Sequence, residues 1–152
     1  MGLLNRIEEL EKELLELKEQ VKEQQEFPQS GERYWYSNGG GMVNSCFWKS
    51  EQFDLNRYRI GNMFKTEKEA EFAVEKLKVE SELRKLSDSW DLEETQYTFS
   101  FDWEGGEFNI EYPDYNQYPN SYYFYSVDDL QQAIETVGRE RIKKYIFGVG
   151  TN

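Results

Sequence analysis

Phe64-Lys65-Thr66-Glu67-Lys68-Glu69-Ala70-Glu71-Phe72-Ala73-Val74-Glu75 is answered, 60 residues later, by Phe124-Tyr125-Ser126-Val127-Asp128-Asp129-Leu130-Gln131-Gln132-Ala133-Ile134-Glu135. In both stretches a hydroxyl residue is followed three positions later by a carboxylate. That spacing lets hydroxyl and carboxylate satisfy free amides at a helix start, so Thr66/Glu69 and Ser126/Asp129 mark two helix entries. An aromatic run precedes each entry. Each half of the chain therefore reads as strands leading into a capped helix, although strand-to-helix junctions also resemble each other by chance.

Outward from the first entry, the helix extends to about Leu86, with Ala70, Ala73, Val74, Leu77, Leu83 and Leu86 towards a core. Upstream, Tyr34-Trp35-Tyr36 and Met42-Val43-Asn44-Ser45-Cys46-Phe47-Trp48 read as two strands around a flexible Ser37-Asn38-Gly39-Gly40-Gly41 connection, and Tyr58-Arg59-Ile60 as a third. No Gly-Lys-Ser/Thr follows the glycines, so they are not a phosphate loop. Before the second entry, Tyr97, Phe99, Phe101 and Trp103 alternate with Gln96, Thr98, Ser100 and Asp102. Phe108, Ile110 and Tyr112 return beyond the turn Glu104-Gly105-Gly106-Glu107, and Tyr122-Tyr123-Phe124-Tyr125 forms one more strand. The second helix stops near Val137-Gly138. The tail reads as a short basic helical turn and a closing strand, Tyr145-Ile146-Phe147. The expected class is α+β: antiparallel strands with two capped helices, behind an N-terminal helix.

That helix carries Leu3, Ile7, Leu10, Leu14, Leu17, Val21 and Gln24 at 4-3 spacing. Ile7, Leu14 and Val21 fall at a, and Leu3, Leu10 and Leu17 at d, as in a coiled-coil seam. Arg6 (g) would face Glu11 (e) of a second copy, and Glu13 (g) would face Lys18 (e), which is the pairing of a parallel dimer. Leu4 and Leu15 lie off the seam and leave open a trimer or a helix packed on its own domain. Phe27-Pro28-Gln29-Ser30-Gly31 ends the helix. The expected organisation is residues 1–26 as an oligomerisation helix, 27–32 as a linker and 33–152 as a globular domain.

Composition excludes more than it assigns. The 152 residues contain no histidine, which removes Ser–His and Cys–His catalysis and His-ligated zinc. Cys46 is the one cysteine, so no intrachain disulfide forms, in keeping with a reducing compartment, and a buried apolar thiol is the expectation. No apolar run approaches a membrane span of about 20 residues, and the acidic N-terminus is unlike a signal peptide. The reading is a non-enzymatic cytoplasmic protein with no cofactor, no metal and no membrane partner.

Charge is the most informative feature. The net charge is −12, and no Lys or Arg falls between Lys85 and Arg139. Within that tract Asp102, Glu104, Glu107 and Glu111 would share one solvent face of the hairpin. Such a face is either a solvated surface or a mimic of nucleic-acid phosphates that occupies a basic groove, which also argues against direct nucleic-acid binding. No Asp-x-Asp-x-Asp-Gly loop suggests calcium. The loop Tyr112–Asn120 is a candidate recognition segment, and Asp114, Tyr115 and Tyr118 join the hairpin acids as candidate partner-binding residues.

Arg57-Tyr58-Arg59-Ile60-Gly61-Asn62-Met63-Phe64-Lys65-Thr66, Glu69-Ala70-Glu71 with Glu75-Lys76-Leu77-Lys78-Val79, and Arg141-Ile142-Lys143-Lys144-Tyr145-Ile146-Phe147-Gly148-Val149 resemble segments of small uncharacterised proteins carried by phages and prophages of Gram-positive bacteria. The resemblance covers most of the chain from about Tyr34 and carries no catalytic motif. It implies a phage protein working in the host cytoplasm. Inhibitors of host defence nucleases, including anti-CRISPR proteins, recur among acidic phage proteins. The leading expectation is therefore an inhibitor of a basic host effector such as an RNA-guided nuclease. Two alternatives stay open. One is an oligomeric sponge for a nucleotide immune signal, with Lys49, Arg57 and Arg59 near the aromatics to hold phosphates. The other is an adaptor in a phage assembly.

Overall fold

The computed structural model describes residues 2–24, 26–113 and 116–150. Among these the architecture is α+β, with five helices and two two-stranded antiparallel sheets. The chain divides into two compact units, Met1–Ala70 and Glu71–Asn152.

The first unit begins with α1 (Leu3–Gln24). β1 (Arg33–Ser37) then pairs antiparallel with β2 (Val43–Phe47), in register from Arg33 opposite Phe47 to Ser37 opposite Val43. The glycine-rich connection is not loose. The Asn38 side-chain oxygen accepts from the amides of Gly40 (2.9 Å) and Met42 (3.0 Å), and Gly41 takes the left-handed conformation at φ 76°. Part of the expected linker is also paired, since Gly31 N–H donates to the Trp48 carbonyl (2.9 Å) and Trp48 N–H to that of Glu32 (2.8 Å).

Where Tyr58-Arg59-Ile60 suggested a strand, the chain instead forms α2 (Gln52–Arg59). Asp54, in the first turn, accepts the Glu51 amide at 3.2 Å. This carboxylate at the helix N-terminus outweighs the β-preference of a three-residue run.

α3 (Glu67–Leu86) starts as its capping box predicts. Glu69 N–H donates to Thr66 Oγ1 and Thr66 N–H to Glu69 Oε2, both at 3.2 Å. Its buried positions are only partly those expected. Ala70, Val74 and Leu83 are buried, and so is Val79, whereas Leu77 and Leu86 are exposed. At 3.6 residues per turn, Val79 and Leu83 lie about half a turn from Ala70 and Val74. The buried stripe changes sides along α3, and Leu77 stays on the side the core has left.

In the second unit β3 (Thr98–Asp102) pairs antiparallel with β4 (Glu107–Glu111), with Asp102 opposite Glu107 and Thr98 opposite Glu111. Gln96 and Thr98, assigned to the solvent face, are buried. Gln96 spans a loop, its carbonyl oxygen accepting Asp91 N–H (2.8 Å) and its amide donating to the Ser89 carbonyl (2.6 Å). Tyr122–Tyr125 provides two isolated bridges, Asp88 with Tyr123 and Tyr97 with Phe124, rather than a full strand.

α4 (Val127–Val137) is capped by Ser126 Oγ, which accepts Asp129 N–H at 3.0 Å. It buries Leu130, Ala133, Ile134 and Val137, the i, i+3, i+4, i+7 stripe of an amphipathic helix. Gly138, at φ 106°, ends it where the sequence placed the stop. α5 (Arg139–Tyr145) follows, and the expected closing strand at Tyr145–Phe147 is absent. The helix runs through Tyr145 and is closed by Val149 N–H donating to the Lys143 carbonyl (3.0 Å), so Ile146 and Phe147 reach the core from a helix end. The core gathers Val79 and Leu83 from α3, Phe99, Phe124, the α4 stripe and Ile142. Arg141 ties α5 to α3 with two 2.9 Å bonds to the Glu82 carboxylate, and those bonds hold Glu82 below the ordinary carboxylate range.

The two helix entries share more than a cap. Trp35 and Phe64 exchange both backbone hydrogen bonds (2.9 Å each), and Tyr97 and Phe124 do the same (2.8 and 2.9 Å). Each unit thus joins a hairpin to a residue two positions before a capping hydroxyl. The internal correspondence read from the sequence is also a correspondence of structure.

Candidate functional site: an unburied helix seam and an acidic surface

α1 is a 22-residue helix whose apolar stripe is left open. Ile7, Leu10, Leu14, Leu17 and Val21 are between 47% and 57% exposed, and Leu3 is 86% exposed. Leu4 and Leu15, off the seam, are exposed too. Arg6 pairs within the helix to Glu9 at 3.1 Å, a solvent-exposed contact of little energetic weight. An amphipathic helix in a protein owes most of its stability to what covers its apolar face rather than to propensity. The six predicted seam residues thus share one helix and are open to a partner.

The four hairpin carboxylates are not equivalent. Asp102 builds the turn: its side chain accepts Glu104 N–H (3.0 Å), and its carbonyl accepts Gly106 N–H (2.8 Å). Glu107, directly across from Asp102, is met by Arg139 (3.0 Å) and Lys143 (3.9 Å). Glu111 accepts the Ser100 hydroxyl at 2.7 Å. Only the Glu104 carboxylate has no hydrogen-bond or ion-pair partner among the described residues. Folding brings Arg139 and Lys143, just beyond the cation-free tract, onto the hairpin, where they also lie over the Phe108 ring (5.4 and 5.9 Å). Sequence distance concealed this neutralisation. Because the Glu107 pair is exposed, Glu107→Gln should lower the unfolding free energy by less than about 1 kcal/mol, and the difference should vanish near 1 M salt. Denaturant titration at two salt concentrations checks this.

Asp114 and Tyr115 lie outside the described residues. Tyr118 presents an exposed ring, while its backbone N–H and carbonyl are held by the Tyr123 hydroxyl (2.6 and 3.1 Å).

Carboxylates also gather around Tyr125, which is 46% exposed. Asp88 accepts Tyr125 N–H at 3.2 Å. Burial, and then the negative charges of Asp91, Asp88 and Glu94, push the Tyr125 hydroxyl above its ordinary value. This second acidic area, made where the 88–94 segment meets the start of α4, was not singled out from the sequence. Its signal was the density of Asp88, Asp91, Glu93 and Glu94 in one short segment.

The first unit holds a buried polar network that the sequence did not reveal. Tyr34 and Asp54 are both 0% exposed, and the Tyr34 hydroxyl donates to the Asp54 carboxylate. Arg57 Nη1 donates back to the Tyr34 oxygen at 2.8 Å. The other Asp54 oxygen accepts the amides of Lys49 (3.0 Å) and Glu51 (3.2 Å). Burial works against the charge on Asp54, but Tyr34, the two amides and Arg57 outweigh it and hold its carboxyl below the ordinary aspartate range. Burial and the bond to Asp54 push the Tyr34 hydroxyl up. Arg57 lies 3.5 Å from the centre of the Tyr36 ring, so its guanidinium is committed to this network. Cys46, expected to be buried, is part-exposed on β2.

Among the described residues no three carboxylate or thiol groups converge as a metal ion would require, and no helix is long and apolar enough to cross a membrane. No protein-family profile, curated protein or solved structure matches the chain.

Proposed function

We propose that this chain is a non-enzymatic binding protein that pairs with a second copy through α1 and engages a basic partner through carboxylate surface. The observation that carries the reading is the open seam of α1, which spaces apolar side chains as a two-stranded coiled coil does and exposes all six. The matched g and e charges favour a parallel pair. The partner class follows from the resemblance to phage proteins together with the net charge of −12: a nucleic-acid-binding effector of bacterial defence, an RNA-guided nuclease in the leading case. An acidic surface in such a groove competes with phosphate and speeds association by electrostatic steering.

The described contacts refine which acids would serve. Glu107 and Glu111 have internal partners, and Asp102 builds its turn; Glu104 on the hairpin and Glu93 and Glu94 in the 88–94 segment are among the exposed carboxylates without side-chain partners among the described residues. The test is inhibition of target cleavage by a guide-loaded RNA-guided nuclease of a Gram-positive host. Inhibition should be stoichiometric, leaving excess nuclease active. Replacing Glu93, Glu94 and Glu104 together with Gln should slow association about tenfold at low salt and flatten its salt dependence. Full nuclease activity in a large excess of the protein, or inhibition unaffected by the triple replacement, would contradict the reading.

A further inference from the structure

The second unit contains a cleft of about 840 Å³ that the binding surfaces above do not use. One wall is a face of α3, where Lys76, Glu80 and Arg84 follow one another at four-residue spacing. Trp90 and Tyr122 contribute aromatic surface, and Trp90 is braced by the Tyr123 ring, 4.8 Å away between centres. Gln117 and Asn120 also line the cleft, and their side-chain amides offer both donors and acceptors. The volume lies in the upper part of the roughly 300–1,000 Å³ range of small-molecule sites.

The charges in the cleft are unevenly committed. Lys76 faces Glu80 at 3.9 Å, and Asp88 accepts the Tyr125 amide at 3.2 Å. Arg84 alone among the lining cations has no carboxylate partner among the described residues. A guanidinium beside aromatic rings is suited to a phosphate attached to a flat heterocycle, with the ring stacking and the phosphate taking the paired N–H donors. Glu80 and Asp88 oppose a ligand bearing several negative charges. We propose that this cleft binds a nucleotide carrying one phosphate charge, its base against Trp90 and Tyr122 and its phosphodiester at Arg84. This inference does not depend on the α1 seam or on a basic partner. The cation that holds the phosphate is Arg84 of α3, not the Lys49, Arg57 and Arg59 that the sequence suggested.

The test is titration calorimetry of the full chain with adenylyl-(3′→5′)-adenosine and its cytidine, guanosine and uridine counterparts, each carrying one phosphodiester, and with ATP and inorganic phosphate. At least one dinucleotide should bind saturably, and ATP should bind more weakly. Arg84→Gln, at an exposed position that leaves the core untouched, should weaken the dinucleotide about tenfold or more. Trp90→Phe should retain binding. Four results would overturn the proposal: no saturable binding of any dinucleotide at millimolar concentration, ATP binding the tighter, dinucleotide affinity unchanged in Arg84→Gln, or inorganic phosphate binding as well as the dinucleotide.

Discussion

Asp54→Ala is expected to lower the unfolding free energy by about 3–5 kcal/mol, the cost of removing one partner from a buried, charge-bearing network. Asp54 is fully buried, and its two oxygens hold the Tyr34 hydroxyl and two backbone amides. Without the carboxylate, the buried Tyr34 hydroxyl loses its acceptor and the part-buried Arg57 guanidinium its nearby negative charge. Tyr34→Phe removes one donor but leaves Asp54 its amides and Arg57, so it should cost only about 1–3 kcal/mol. The network also sets a pH dependence. Because the folded pKa of Asp54 is depressed, its contribution is fully present above the unfolded aspartate value of about 3.9 and is lost as pH falls through the folded value. The stability gap between wild type and Asp54→Asn should therefore be widest near neutrality and narrow in acid below about pH 4. Denaturant titrations at fixed protein concentration from neutral to acid pH measure both effects. A gap under about 1 kcal/mol at neutral pH would remove the network from the account.

This network was the least legible part of the chain. Tyr34 read as one aromatic of a strand, and nothing in the sequence set Asp54 apart from the other acids. What joins them is the antiparallel ladder of β1 and β2 followed by α2, and α2 itself was hidden behind the strand-like Tyr58-Arg59-Ile60 run. Signals confined to a few neighbouring residues read well. Thr66 with Glu69 and Ser126 with Asp129 form the caps their spacing implies, and Leu130 to Val137 bury the expected stripe. Signals that depend on long-range contacts did not. The cation-free tract acquired Arg139 and Lys143 from beyond its end, and the buried side of α3 shifted from Ala70 and Val74 to Val79 and Leu83. Phe147 left the expected closing strand because α5 continued through Tyr145 and delivered it to the core. Of the elements carrying candidate binding residues, the α1 helix was legible because its apolar period is local. That the hairpin acids differ from one another was not legible, because Glu107 meets Arg139 and Lys143 from far along the chain while Asp102 and Glu111 are held within the hairpin.

Leu10→Glu together with Leu17→Glu should abolish association of the full chain. The d positions of a two-stranded coiled coil face each other, so these changes set four carboxylates into one apolar seam. Completing the burial of a half-covered Leu is worth roughly 1 kcal/mol each, and the introduced charges add a desolvation penalty. The dissociation constant should therefore rise roughly a thousandfold or more. The two-unit fold should survive, because Leu10 and Leu17 take no part in the cores of either unit and are already exposed. Circular dichroism of the variant should lose signal from α1 alone, a helix whose apolar face then has nothing to cover it.

Sedimentation equilibrium of the unmodified full-length chain tests the central claim most directly. A parallel pair predicts a mass twice the 18.2 kDa of the chain at tens of micromolar concentration, falling to the single-chain mass in the Leu10→Glu, Leu17→Glu variant. A full-length protein that sediments at 18.2 kDa across that range would contradict it.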